Sequence, residues 1–114
     1  MRCQPWLEAA LERANGTHTI SNVVEAIAAG SMQFWPAPRG CAVTEIIKYP
    51  NKKVLHVFLA GGELDQIVEM DGSAAEFARM NGCTAMTIAG RKGWARVLKD
   101  KGYEEAFTVL AKEL

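Results

Sequence analysis

The chain has 114 residues, enough for one hydrophobic core and too few for two. Apolar residues make up 49% and charged residues 23%, and 13 Lys and Arg balance 13 Asp and Glu. A neutral chain has no overall field to draw nucleic acid or an anionic membrane, so both are set aside as partners. Its longest apolar runs are strand-sized, and the opening MRCQPWLEAALERANG holds no uninterrupted signal core. A single domain over residues 1–114, in the cytoplasm and without a membrane span, is expected.

Cys3, Cys41 and Cys83 are odd in number, widely spaced and without a C-x-x-C pair. That excludes a disulfide framework and a zinc site and leaves small buried or half-buried thiols.

In chain order, residues 4–14 suit a first helix, with Pro5 in its opening turn and Asn15-Gly16 stopping it. Trp6, Leu7, Ala10, Leu11 and Ala14 form one apolar face. A second helix follows, capped by Thr19 or Ser21, with Val23, Val24, Ile27 and Ala28 as its face and Gly30 closing it. His18 lies in the connection and is expected in solvent. A short strand, 32–35, ends at Pro36 and Pro38, residues suited to an edge because neither donates to a ladder. Phe34 and Trp35 within it read as core packing and sheet cover before a stacking platform.

Residues 41–49 and 53–60 form a hairpin around the turn PNKK. Its alternation brings Glu45 opposite or diagonal to His56, an acid–imidazole pair that is either a general base with its orienting partner or a satisfied half-buried pair. The returning strand is apolar on both faces, as a central covered strand should be. Ala60-Gly61-Gly62 turns it into a helix over 63–81 whose buried stripe is Leu64, Ile67, Met70, Ala74, Phe77 and Ala78. Gly72 marks a close packing contact or a break in that helix.

A small apolar strand, 84–89, then turns through Gly90-Arg91-Lys92-Gly93 into a short helix, 94–101, with Trp94, Val97 and Leu98 inward. Gly102 ends that helix, Tyr103 packs back on Leu98, and 104–110 reads as a last strand antiparallel to 84–89. Arg91, Lys92, Arg96, Lys99 and Lys101 make a basic face that Asp100 dilutes, so a solvated helix face is preferred to a nucleic-acid contact.

The order helix, helix, three-stranded meander, helix, strand, helix, strand resembles the GNAT (GCN5-related N-acetyltransferase) fold, most strongly over 41–110 and without that fold's usual first strand. The fold class expected is therefore α/β (α+β): one mixed sheet with helices on both sides. In that family the splay between the hairpin's second strand and the next strand takes the pantetheine arm of acetyl-CoA. The pyrophosphate rests on backbone N–H groups of a basic, glycine-rich loop at a helix N-terminus. The corresponding turn here is AGGELDQ, which lacks the loop arginine and carries Glu63 and Asp65. Leu98 stands where the family often has a tyrosine acid. The resemblance, with these departures, implies a degenerate member that has lost acetyl transfer, needs no cofactor and works as a structural or interaction protein.

WARVLKDKGYEE and Val43-Thr44-Glu45-Ile46-Ile47 also resemble small bacteriophage internal virion proteins, which implies a virion or host-cytoplasm location and virion components or self as partners. Candidate surfaces are Phe34-Trp35 and Arg91-Lys92 with Trp94. The alternative is an acyl-CoA-dependent N-acetyltransferase with an atypical coenzyme loop. There Leu59, Gly61, Gly62, Arg91 and Lys92 would hold acetyl-CoA, and Glu45 or His56 would be the base.

Overall fold

A computed structural model describes residues 2–14, 16–89, 92–107 and 109–114, with residues 92, 93 and 95 described in backbone only. The elements run α1 (Gln4–Glu12), α2 (Ile20–Ala29), β1 (Met32–Ala37), β2 (Gly40–Lys48), β3 (Lys53–Gly62), α3 (Leu64–Met80), β4 (Ala85–Ile88) and α4 (Lys92–Leu98), with a 3-10 turn at Lys99–Lys101. The sheet order is β1-β2-β3-β4. Its first three strands are antiparallel neighbours, and β4 joins β3 in parallel after the α3 crossover. This is the mixed α+β sheet expected from the pattern of the sequence.

Both faces of the sheet are covered. On one, α1 and α2 bring Leu7, Leu11 and Val23 onto Cys41, Val43 and Leu59. On the other, α3 packs Ile67 on Ala42, Val57 and Ala60, and Ala74 and Ala78 on Leu55. Each fully buried aliphatic side chain here contributes roughly 1.5–3 kcal/mol against its exposed state, so the two layers together hold β2 and β3 as central strands.

Local chemistry explains the element ends. Thr19 caps α2 in a reciprocal box: its hydroxyl accepts from the Asn22 N–H, and Asn22 accepts from the Thr19 N–H. Tyr103 N–H donates to the Leu98 carbonyl across Gly102 (φ 91°), the expected left-handed stop. The inner face of α2 is Ile20, Val23, Ala26 and Ile27, whereas Val24 is 50% exposed and Ala28 lies in solvent. The stripe is thus rotated from the one predicted, because Ile20 already belongs to the helix and starts the i, i+3, i+7 series. On α4, Leu98 is buried and Val97 is exposed. Gly72 lies inside an unbroken α3, and a Cβ there would meet nothing within 4 Å, so it marks neither a contact nor a break.

The predicted last strand is not formed. Residues 103–107 and 109–114 adopt neither helix nor strand, and Phe107, Val109 and Leu110 are 75%, 77% and 90% exposed. The segment makes no ladder with β4 among the described residues, and an alternating apolar stretch is not a strand without a paired neighbour.

Cys3, Cys41 and Cys83 are free and buried, as expected. Burial pushes the Cys41 thiol up to about 12, helped by its neighbour Cys3. No helix among the described residues is long and apolar enough to cross a membrane.

Candidate functional site

The candidate site lies where β3 and β4 part. Their pairing runs from Val54↔Ala85 to Val57↔Ile88, and the Ala89 N–H reaches the Val57 carbonyl at 3.3 Å. Beyond it, Phe58–Gly62 of β3 has no β4 partner among the described residues. At the same point the register against β2 shifts: Thr44 faces Val57 and Val43 faces Leu59, so Phe58 is an extra residue, a β-bulge. The bulge explains why Val57 packs under α3 while Leu59 belongs to the opposite core with Cys41 and Val43. A bulge also sharpens the local twist, and the strands separate from there.

Glu45 stands directly opposite His56 in the β2–β3 register. His56 Nδ1 shares a hydrogen bond of 2.8 Å with Thr87 Oγ1 on β4, one step before the pairing ends. Burial pulls the imidazole below its usual range, and the Glu45 carboxylate opposes that pull. His56 is therefore a neutral, half-buried imidazole at neutral pH. His18 is not the solvent-exposed residue expected. Its ring is half-buried on Phe58, with centroids 4.6 Å apart, and its Nδ1 lies 2.8 Å from Thr17 Oγ1. The bulge turns Phe58 toward that loop, and sequence spacing carries no signal for it.

The pH consequence of His56 follows from its sign. Its folded pKa lies below the unfolded value, so its contribution to stability is whole above about pH 6.5 and is lost as pH falls through the folded value. Unfolding free energies from urea titrations between pH 7.5 and 5 should fall with a slope of at most about 1.4 kcal/mol per pH unit from this group. His56→Gln should flatten that part of the profile, and an unchanged difference between the two pH values would refute it.

The glycine turn is committed to packing. A Cβ at Gly61 would stand 2.8 Å from Trp6 Cβ and 2.9 Å from the Trp6 carbonyl, so α1 sits directly on this backbone. Gly62 has φ 97°, and a Cβ there would overlap the Arg39 carbonyl and lie 2.5 Å from Gly40 Cα. The Glu63 N–H, which the acyltransferase alternative leaves facing the cleft, donates to the Arg39 carbonyl at 2.8 Å.

Arg39 occupies the mouth of the same turn. Its guanidinium bonds the Glu63 carboxylate and reaches Asp65 at 3.4 Å, and its backbone N–H donates to Gln66 Oε1 at 3.3 Å. Glu63 foremost, then Asp65, holds the guanidinium above its ordinary pKa. These pairs are more than half exposed, so they orient the turn more than they stabilise it. Sequence reasoning missed Arg39 because its partners are 24 and 26 residues away. It missed Gln66, which is 6% exposed, because a glutamine within a helix gives no burial signal.

Under α3 the sheet carries a polar chain: Trp35 Nε1 donates to Thr44 Oγ1 (2.9 Å), and Thr44 Oγ1 donates to Gln33 Oε1 (2.8 Å). Trp35 also meets Phe77 edge-on with centroids 5.6 Å apart, so this aromatic serves packing. A cavity of about 30 Å³ remains there, lined among others by Trp35, Thr44, Met70, Ile88 and Leu98. That is water-sized, well below the roughly 300–1,000 Å³ of ligand pockets. His56 and Glu45 project from the opposite sheet face, because Leu55, Val57 and Thr44 take the α3 side.

Leu98 is buried, and Tyr103 is more than a cap. Its hydroxyl donates to Asp71 at 2.7 Å and lies 3.8 Å from Met86 Sδ, tying the α4 turn to α3 and β4. Burial foremost, with Asp71, raises its pKa. Arg91 lies outside the described residues, and so does the side chain of Lys92. No cluster of three or more His, Cys, Asp or Glu able to hold a metal occurs among the described residues.

No family model matches the chain, and no curated protein sequence does. Solved structures do. An acetyltransferase of Trypanosoma brucei superposes with a TM-score of 0.66 at 13% identity, over 83% of this chain and 78% of that one. TTHA1254 of Thermus thermophilus matches in a mutant form (0.63, 17% identity, 82% of this chain and 78% of that one) and in its wild-type form (0.62, 16%, 84% and 79%). At such identities the likeness establishes the acetyltransferase-like fold.

Proposed function

We propose that this chain uses an acetyltransferase-like fold as a protein-interaction scaffold and does not transfer acetyl groups from acetyl-CoA. One observation carries the reading: the N-cap amide of Glu63, at the mouth of the turn, is bonded to the Arg39 carbonyl. The carboxylates of Glu63 and Asp65 flank it and take the Arg39 guanidinium. A pyrophosphate would have to break that set and then meet two carboxylates. Calorimetry with acetyl-CoA tests the reading. No binding heat at millimolar coenzyme is expected, and micromolar binding overturns it. A virion component as the partner is the finer form of this proposal. It rests on the resemblance of 43–47 and 94–105 alone, and the solved neighbours lend it no support.

A second reading, an acyl-CoA-dependent N-acetyltransferase, is favoured by the bulge at Phe58 and the parting of β3 from β4. In it acetyl-CoA enters beside Leu59, past Gly61 and Gly62, with Arg91 and Lys92 supplying phosphate charge. His56, oriented by Thr87 and Glu45, would be the base. Turnover abolished by His56→Gln, together with micromolar coenzyme binding, would establish it.

A further inference from the structure

We propose that Cys3 and Cys41 are a redox pair, which a peroxide closes into a disulfide that clamps the start of α1 to β2 and which a dithiol reopens. The inference holds whether or not coenzyme binds.

The fold lays Cys3 over Cys41. In the sheet, Cys41 stands between Pro36 of β1 and Gly61 of β3. Arg2, the residue before Cys3, donates a guanidinium N–H to the carbonyl of Ala37, next to Pro36, at 2.9 Å. Trp6, in the first turn of α1, rests on Gly61, where a Cβ would come within 2.8 Å of Trp6 Cβ. Cys3 is thus fixed between two residues that hold neighbours of Cys41. The Cys41 thiol donates to the Cys3 carbonyl at 3.9 Å. Both residues are buried, and they belong to one apolar cluster. A hydrogen bond with Cys3 joins burial in raising the Cys41 thiol, so the two side chains interact directly. A disulfide needs its two backbones within a side chain's reach of each other, and a thiol seated on the other residue's carbonyl meets that need.

Cys3 is also a poor residue for the place it fills. It is the N-cap of α1, and its side chain makes no capping bond. Serine, threonine, aspartate and asparagine serve that position, as Thr19 does for α2. No acidic residue stands in the first turn of α1 either. A helix start fastened so lightly opens locally while the sheet stays folded, and that opening admits an oxidant. The Cys3 sulfur then attacks the peroxide, forming an S–O bond as the O–O bond breaks, and the thiol proton leaves in the first water. Cys41, held protonated while the layer is closed, is the resolving thiol. Its sulfur displaces the sulfenic oxygen of Cys3, and the second water carries off its proton. Two thiols have lost two electrons, and one peroxide has become two waters. Exchange with a dithiol runs the other way, the dithiol leaving as its own disulfide. Cys83 belongs to the cluster beneath α3 and takes no part.

Hydrogen peroxide treatment of the folded full chain, followed by peptide mapping without reductant, tests this. A linked peptide joining Cys3 to Cys41 is expected, and the three free thiols should fall to one. The bridge would span 38 positions, so the melting temperature should rise by about 10–15 °C and return on addition of dithiothreitol. Cys83→Ser should keep that rise. Cys3→Ser, which supplies a capping hydroxyl, and Cys41→Ala should each abolish it. The proposal is overturned if no linked peptide forms, or if the link contains Cys83 or joins two chains. It is equally overturned if the bridge forms and the melting temperature does not rise, since α1 would then not be clamped.

Discussion

Alanine at position 62 should cost the protein about 3–5 kcal/mol and lower its melting temperature by roughly 12–20 °C. Two terms add. The backbone holds φ 97°, a region that a Cβ makes unfavourable by about 1–2 kcal/mol. The added atom would also overlap the Arg39 carbonyl and stand 2.5 Å from Gly40 Cα, and both are backbone atoms of the facing turn. Neither can swing aside as a side chain could, so the β2–β3 pairing at Gly40↔Gly62 must open. Gly72→Ala is the internal comparison. Its Cβ meets open space in mid-helix, and it should raise stability by about 0.5–1 kcal/mol. Paired thermal melts decide the matter. If Gly62→Ala melts like the unsubstituted chain, the glycine serves a ligand and the packing account fails.

Thr44→Val should cost about 2–3 kcal/mol, or roughly 8–12 °C, although it swaps a hydroxyl for a methyl of similar size. Thr44 is 1% exposed, and its hydroxyl both accepts from the Trp35 indole and donates to Gln33 Oε1. Removing it leaves a donor and an acceptor together beneath α3, where the adjacent cavity is water-sized. Thr44→Ser keeps both bonds and should lose only about 1 kcal/mol through the missing methyl. Denaturant titrations of the pair separate the polar contribution from the volume contribution. Equal losses for Ser and Val would show that the hydrogen bonds carry nothing.

Much of the architecture was legible because period and punctuation agree along the chain. Alternation on both arms of the hairpin places Glu45 opposite His56, and the Thr19 cap and the Gly102–Tyr103 stop are set by residues within a few positions of one another. What escaped the sequence depends on partners far apart. Phe58 carries no glycine to mark a bulge, and an apolar residue in a two-faced strand reads the same before and after a register shift. Arg39 looks like an ordinary turn residue until the fold brings Glu63 and Asp65 beside it. Gly61 and Gly62 do announce a backbone constraint, but a ligand phosphate and a packed helix ask for the same absent Cβ, and only the position of Trp6 and Arg39 tells them apart. Residues 104–110 show the converse. Their pattern is that of a strand, yet the described residues among them adopt none, because alternation marks a strand only where a neighbour pairs with it.

The three buried thiols make the molecule a self-contained gauge of its own breathing. Cys3 and Cys41 sit in the layer beneath α1 and α2, and Cys83 sits in the layer beneath α3. A thiol reagent reaches any of them only when that layer opens. Position-resolved labelling would therefore time the two halves of the core separately, and equal rates at Cys3 and Cys83 would mark a sheet that opens on both faces together.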